Sequence, residues 1–75
     1  MERKKLDDNK YLIGNMISIG YDEEKKILEI EYVHGFLYQY HNVPKEIYDK
    51  LMAEENKITF VQERIAKMFK AQRIK

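Results

Sequence analysis

Between Ile27 and His41, apolar and polar side chains alternate on both sides of one glycine, and this stretch constrains the fold more than any other. Leu28, Ile30 and Tyr32 alternate with Glu29 and Glu31 ahead of Val33-His34-Gly35. Phe36, Tyr38 and Tyr40 alternate with Leu37, Gln39 and His41 after it. A period of two is the mark of a half-buried strand. A three-residue hairpin loop, with Gly35 in the left-handed position of a G1 bulge, sets Tyr32 opposite Phe36, Ile30 opposite Tyr38 and Leu28 opposite Tyr40. All six apolar residues then share one face, and Glu29, Glu31, Leu37, Gln39 and His41 share the other. A two-residue loop would place Tyr38 opposite Glu31 on a mixed face, so a slip of one residue undoes the pattern.

The flanking segments complete a small α+β domain. Ile17, Ile19 and Tyr21 alternate with Ser18 and Gly20 as an earlier strand, and Asp22-Glu23-Glu24-Lys25-Lys26 is a polar turn. Pro44 suits the first turn of a helix, and Ile47, Tyr48, Leu51 and Met52 recur at helical spacing to about residue 54. Thr59 and Gln62 read as a capping box that starts a second helix, with Val61, Ile65, Met68 and Phe69 inward, running to about residue 72. The expected architecture is a three-stranded antiparallel meander packed against two C-terminal helices. Residues 1–10 are mostly charged and without period, which reads as a flexible tail ahead of a domain over residues 11–75.

Seventy-five residues make one domain, and a chain of this size buries only about 60% of its unfolded surface. Nearly all its apolar residues are needed for the core, and few are left to line a deep pocket. With no cysteine, disulfides and cysteine-ligated zinc are excluded. No apolar run approaches the roughly 20 residues of a membrane span. The basic residues near the N-terminus precede no hydrophobic segment, so no signal peptide is expected and the cytoplasm is the expected compartment. The net charge of +1 hides a division. Residues 16–56 carry four lysines against nine acids, whereas residues 57–75 carry six cations against Glu63 alone. An anionic partner should prefer the C-terminal end.

The residue types of catalysis do not assemble. Glu29 and Glu31 are paired on one strand face but have no apolar pocket to separate their pKa values, so they read as a solvated surface. His34 and His41 lack further ligands at metal spacing. Ser18 and Thr59 have no predictable His–acid partner, and Gly14, Gly20 and Gly35 are isolated rather than gathered in a phosphate loop. The expectation is a non-enzymatic protein without metal or cofactor.

The basic residues carry more information. Arg64, Lys67, Lys70 and Arg73 occur at every third position, which on a helix makes a ridge opposite the apolar stripe. Such a ridge can track phosphates, with help from Lys57 and Lys75; equally, it can be a solvated face that complements the helix dipole. Six tyrosines offer rings for stacking bases, but the hairpin register turns Tyr32, Tyr38 and Tyr40 toward the helices as core.

Ile19-Gly20-Tyr21-Asp22, Leu28-Glu29-Ile30-Glu31-Tyr32, Gly35, Tyr38-Gln39-Tyr40 and Val43-Pro44 together resemble the KTSC domain, a module named after the lysyl-tRNA synthetase C-terminus. Tyr38, Tyr40, Val43 and Pro44 are the most recognisable part, and the resemblance runs from about Asn15 to Phe69. It departs in the second half. Asn56 and Ile58 stand where the family has Ser and Gly, Phe60 and Val61 where it has an aromatic pair, Gln62 for Asn and Phe69 for Tyr. The resemblance implies a stand-alone bacterial or phage module for which RNA binding is the suggested role.

Two readings follow. One is an RNA- or tRNA-binding module using Lys57, Arg64, Lys67, Lys70, Arg73 and Lys75. The other is a protein-interaction module, motivated by the acidic body and by Leu37 among Gln39 and His41. It would dock on a host protein or form a homodimer through an unpaired edge of the sheet. Neither requires a membrane.

Overall fold

The computed structural model describes residues 1–6 and 16–75. Asn15, Gly14 and the other residues from 7 to 15 lie outside the described part. The strands are β1 (Glu2–Lys5), β2 (Met16–Asp22), β3 (Ile27–Tyr32), β4 (Leu37–Tyr40) and β5 (Ala71–Arg73). They form one antiparallel sheet in the order β1-β2-β3-β4-β5. Helix α1 spans Lys45–Ala53, and a second helix, α2, occupies residues 57–68. Among the described residues no helix is long and apolar enough to cross a membrane.

The central hairpin adopts the register read from its pattern. Leu28 pairs with Tyr40, Ile30 with Tyr38 and Glu31 with Leu37, and the Tyr32 amide donates to the Phe36 carbonyl at 2.8 Å. Gly35 takes φ +82° and His34 takes φ +67°, so the loop places two consecutive residues in the left-handed region. Glycine does so without steric cost, and His belongs to the residue types that tolerate it.

Two strands are additional to the meander, giving five in place of three. Glu2–Lys5, read as part of a tail, pairs along β2. Ala71–Arg73, read as the end of the second helix, pairs along β4. The physical reason is the same at each edge: a bare strand leaves unpaired N–H and C=O groups, and a neighbouring segment gains a ladder by covering them. That gain outweighs the helical spacing of the C-terminal residues. The edges of β2 and β4, which the homodimer reading left open, are therefore paired within the chain.

The inner face holds the core. Ile19, Leu28, Ile30, Val43, Leu51 and Ile65 are fully enclosed, with Val61, Met16, Tyr21 and Tyr40 nearly so. A bulge between Met16 and Ser18 turns Met16 inward in place of the expected Ile17. Helix α2 starts one turn earlier than the expected capping box, because Asn56 rather than Thr59 is the cap. Its side chain accepts from the Thr59 amide at 3.1 Å. A π-helical stretch, Val61–Ile65, keeps both of its end residues buried. The helix stops after Met68, and Phe69 turns in extended conformation toward the core. Met68 is left 59% exposed instead of inward.

Candidate nucleic-acid interface

The expected ridge of cations does not exist as one helix face. Lys57 is only 8% exposed, and its ammonium donates at 2.7 Å to the carbonyl of Glu54, the residue that caps α1. A cation at a helix C-terminus satisfies orphan carbonyls and suits the dipole, so the role of Lys57 is internal. Arg64 and Lys67 are exposed on α2, but Arg64 borders a depression of about 210 Å³ that Glu54 and Glu63 also line. Lys70 lies exposed between α2 and β5. Arg73 is on β5 and Lys75 follows it. Three of the six residues thus lie on a helix, with one of them spent on capping, one lies on a strand, and Lys70 and Lys75 lie outside both.

The strand placement brings Arg73 to aromatic side chains. Pairing with Tyr38 puts Arg73 on the inner face of the sheet, and its guanidinium carbon sits 4.7 Å from the centroid of the Phe36 ring. The guanidinium is held by its Nε, which donates to the Lys75 carbonyl at 3.0 Å. Phe36 is 40% exposed. Beside it, Tyr32 and Tyr38 meet edge to face with centroids 5.7 Å apart. Burial, with smaller contributions from Tyr40 and Tyr38, pushes the Tyr32 phenol up to about 12. Tyr40 is enclosed, so it offers no ring to a ligand, whereas Tyr32 and Tyr38 are half-buried. Aromatic rings and a guanidinium at one corner, near further lysines, are the elements that stack and hold unpaired bases. Sequence periodicity missed this corner because it assigned Arg73 to a helix.

The opposite face is a connected polar surface rather than a solvated one. Arg3 pairs with Glu29 across Gly20, and it also donates to the Ser18 hydroxyl at 2.7 Å. Ser18, 3% exposed, in turn donates to Glu31 at 2.7 Å. Gln39 donates to the second oxygen of Glu29 at 2.8 Å, and His41 Nε2 lies 3.2 Å from Gln72 Oε1. Gly20 makes the crossing possible: a Cβ there would stand 2.9 Å from the Arg3 guanidinium and 2.8 Å from the Met1 sulfur. Much of the acidity of this face is therefore compensated within the sheet. The sequence signal that could have revealed it is the pair Ser18 and Gly20, small residues opposite Glu31 and Glu29.

The Tyr38, Tyr40, Val43, Pro44 motif sits at the turn from β4 into α1. Val43 is enclosed, its amide donates to the Lys26 carbonyl at 2.9 Å, and its carbonyl accepts from the Tyr21 hydroxyl at 2.6 Å. Pro44 is the residue ahead of α1. These residues fix the sheet–helix corner.

The family model of the KTSC domain matches residues 14–69. The chain belongs to the KTSC domain family. A KTSC domain protein of Yersinia pestis, known from a crystal structure, superposes with a TM-score of 0.80 at 28% identity, over 99% of this chain and 97% of that one. An uncharacterised protein of Stutzerimonas stutzeri is 44% identical over 43 residues, and the chain spans 61% of its length. A protein of Tsukamurella paurometabola is 36% identical over 52 residues, which cover 69% of this chain and 78% of that protein. Strands β1 and β5, with Arg73, lie outside the matched KTSC span. Within it, Asn56 supplies the α2 cap at the position where the family resemblance places a Ser, so the exchange preserves capping.

Proposed function

We propose that this KTSC domain is a small non-enzymatic module that binds single-stranded RNA, with unpaired bases stacking at the Phe36–Arg73 corner and phosphates meeting Lys67, Lys70 and Lys75. The observation that carries the reading is the Arg73 guanidinium over the exposed Phe36 ring, beside Tyr32 and Tyr38. Every base has a π face, so such a platform accepts varied sequence and rejects paired bases. Three lysine contacts would give a salt slope of about −2 in log–log form for a single strand.

The test is fluorescence anisotropy with labelled tRNA, single-stranded RNA, duplex RNA and single-stranded DNA, at low and physiological salt. Phe36→Ala should weaken binding about tenfold, the loss of one stacked base. Lys67→Glu with Lys70→Glu should weaken it further and flatten the salt slope. Unchanged affinity in both variants, or no binding at low salt, overturns the reading. A docking role on a protein has its own support in the exposure of Phe36, Met68 and Ile74. It predicts a partner that survives nuclease treatment and is lost with Met68→Ser and Ile74→Ser.

A further inference from the structure

Among the described residues the sheet ends in β1 on one side and β5 on the other. Both end strands are basic: β1 carries Arg3, Lys4 and Lys5, and β5 carries Arg73 between Lys70 and Lys75. The strands just inside them, β2 and β4, carry no cation, and β4, Leu-Tyr-Gln-Tyr, carries no charge at all. Lysine and other charges on an edge strand keep the sheets of separate molecules from joining. An uncharged strand with two tyrosines has the opposite property, because aromatic residues favour extended pairing. The edge of β4 that β5 covers is therefore the one suited to a second copy of this chain.

The hold of β5 on that edge is slight. Its three residues are all exposed. The Ile74 and Lys75 amides both donate to the Leu37 carbonyl, at 2.7 and 3.4 Å, and the Leu37 amide donates to the Lys75 carbonyl at 3.2 Å. Two residues against one make a bulge, which ends the regular ladder there. Bonded and non-bonded pairs alternate along an antiparallel ladder, so Gln39–Gln72 is bonded, whereas Tyr38–Arg73 and Tyr40–Ala71 are not. Beyond the backbone, β5 is held at the surface, by Arg73 over Phe36 and by Gln72 at 3.2 Å from His41. Short margins with little buried apolar area open first. Phe69 packs against the core just ahead of Lys70, so release can be confined to the last few residues.

We propose that β5 is a releasable guard strand: paired, it keeps the chain monomeric, and released, it lets β4 join β4 of a second copy. The groups freed to pair are those that face β5, the amides and carbonyls of Leu37 and Gln39. Antiparallel two-fold pairing sets Leu37 of each copy opposite Gln39 of the other, with Tyr38 against its own counterpart. The two sheets become one, with β1 at each end. Release also takes Arg73 off Phe36, so the dimer lacks the base-stacking corner. That coupling rests on the RNA reading; the release itself does not, and its test contains no RNA.

The experiment is sedimentation equilibrium of the full chain and three variants, with amide exchange followed by NMR. Gln72→Pro removes a donor that β4 uses, whereas Ala71→Pro removes one that points away from β4, so only the first should free β5. Gln72→Pro should self-associate at least about tenfold more tightly than the native chain, because a dimer that must first open β5 is weakened by the small open fraction. Its Leu37 and Gln39 amides should exchange rapidly when dilute and slowly when concentrated. Adding Leu37→Lys to Gln72→Pro should restore the monomer, since it sets a cation on the joining edge, and Glu31 lies opposite to receive it. The amide signals of β2 verify that each variant is folded. A Gln72→Pro chain no more associated than the native one overturns the proposal. So does association that leaves Leu37 and Gln39 unprotected, association that survives Leu37→Lys, or equal association in Ala71→Pro.

Discussion

Tyr21 and Tyr48 lie parallel under a rim of carboxylates, whereas Tyr32 and Tyr38 meet edge to face beside Phe36 and Arg73. Both pairs involve the inner face of one sheet. From β2 to β5 is about 14 Å across the strands, and from the level of Leu28 to that of Tyr32 is about 13 Å along them. The difference between these corners is one of rim charge, and its origin is the strand order. Because each strand neighbours its predecessor, position in sequence becomes position in space. The carboxylates of Glu2, Asp22 and Glu23 at the β1–β2 side and the cations Arg73 and Lys75 at the β5 side thereby lie at opposite margins of the sheet, although Arg64 and Glu54 still meet at one depression. The N-terminal cations are the exception, since Arg3 is spent on Glu29 across Gly20.

The strongest way to break this comparison is to remove what the corners share. Leu51 on α1 is fully enclosed, and Leu51→Ala should cost about 2–5 kcal/mol through lost transfer and a residual cavity. That is a large part of the roughly 4–11 kcal/mol expected for a domain this small. In urea, tyrosine signals from both corners should be lost in a single transition at a much lower midpoint. Two separate transitions would show that the corners are independent units.

A smaller change should sharpen it. Gly20→Ala puts a Cβ against the Arg3 guanidinium and the Met1 sulfur. These are the ends of flexible side chains, so Arg3 moves off Glu29 rather than the sheet breaking. The expected loss is about 1 kcal/mol, with faster amide exchange in β1 and no change at Tyr32 or Tyr38. Unaltered exchange in β1 would show that Arg3 does not hold that strand.

A third effect is confined to alkali. A phenol whose folded pKa is raised holds its proton more tightly when folded, so its contribution is complete below the unfolded pKa and disappears as pH climbs through the folded one. For Tyr32 that window runs from 10 to about 12. Stability should decline across it, and Tyr32→Phe should make the decline shallower. An identical alkaline profile in the variant would place the loss on other phenols.

The β3–β4 hairpin was legible because two independent signals, alternation and Gly35, fix the same register. The helices were legible in number, and the apolar stripe correctly placed Leu51, Val61 and Ile65. What was not legible depends on long-range pairing. Glu2–Lys5 has four charged residues and little intrinsic tendency to form a strand, yet β2 offers it an open edge. Ala71-Gln72-Arg73 continues a helical spacing locally, and only the bare edge of β4 explains its strand. The cations were visible as a group, but their arrangement follows from where α2 ends. Lys57 as a cap, and the Arg3–Ser18–Glu31 chain, need the fold before they can be seen.

Consecutive pairing of every strand also sets the order in which the sheet should open. The connections from β2 to β3 and from β3 to β4 are each four residues long, the shortest between strands, so these three strands should keep their amides longest. The four residues of β1 and the three of β5 form the margins, and margins fray first. The proposed base-stacking corner draws on one of those margins, through Arg73. Occupying that corner would hold β5 shut, so ligand affinity and resistance to local opening should rise together there, and amide exchange in β5 would report occupancy while β1 would serve as the unliganded reference.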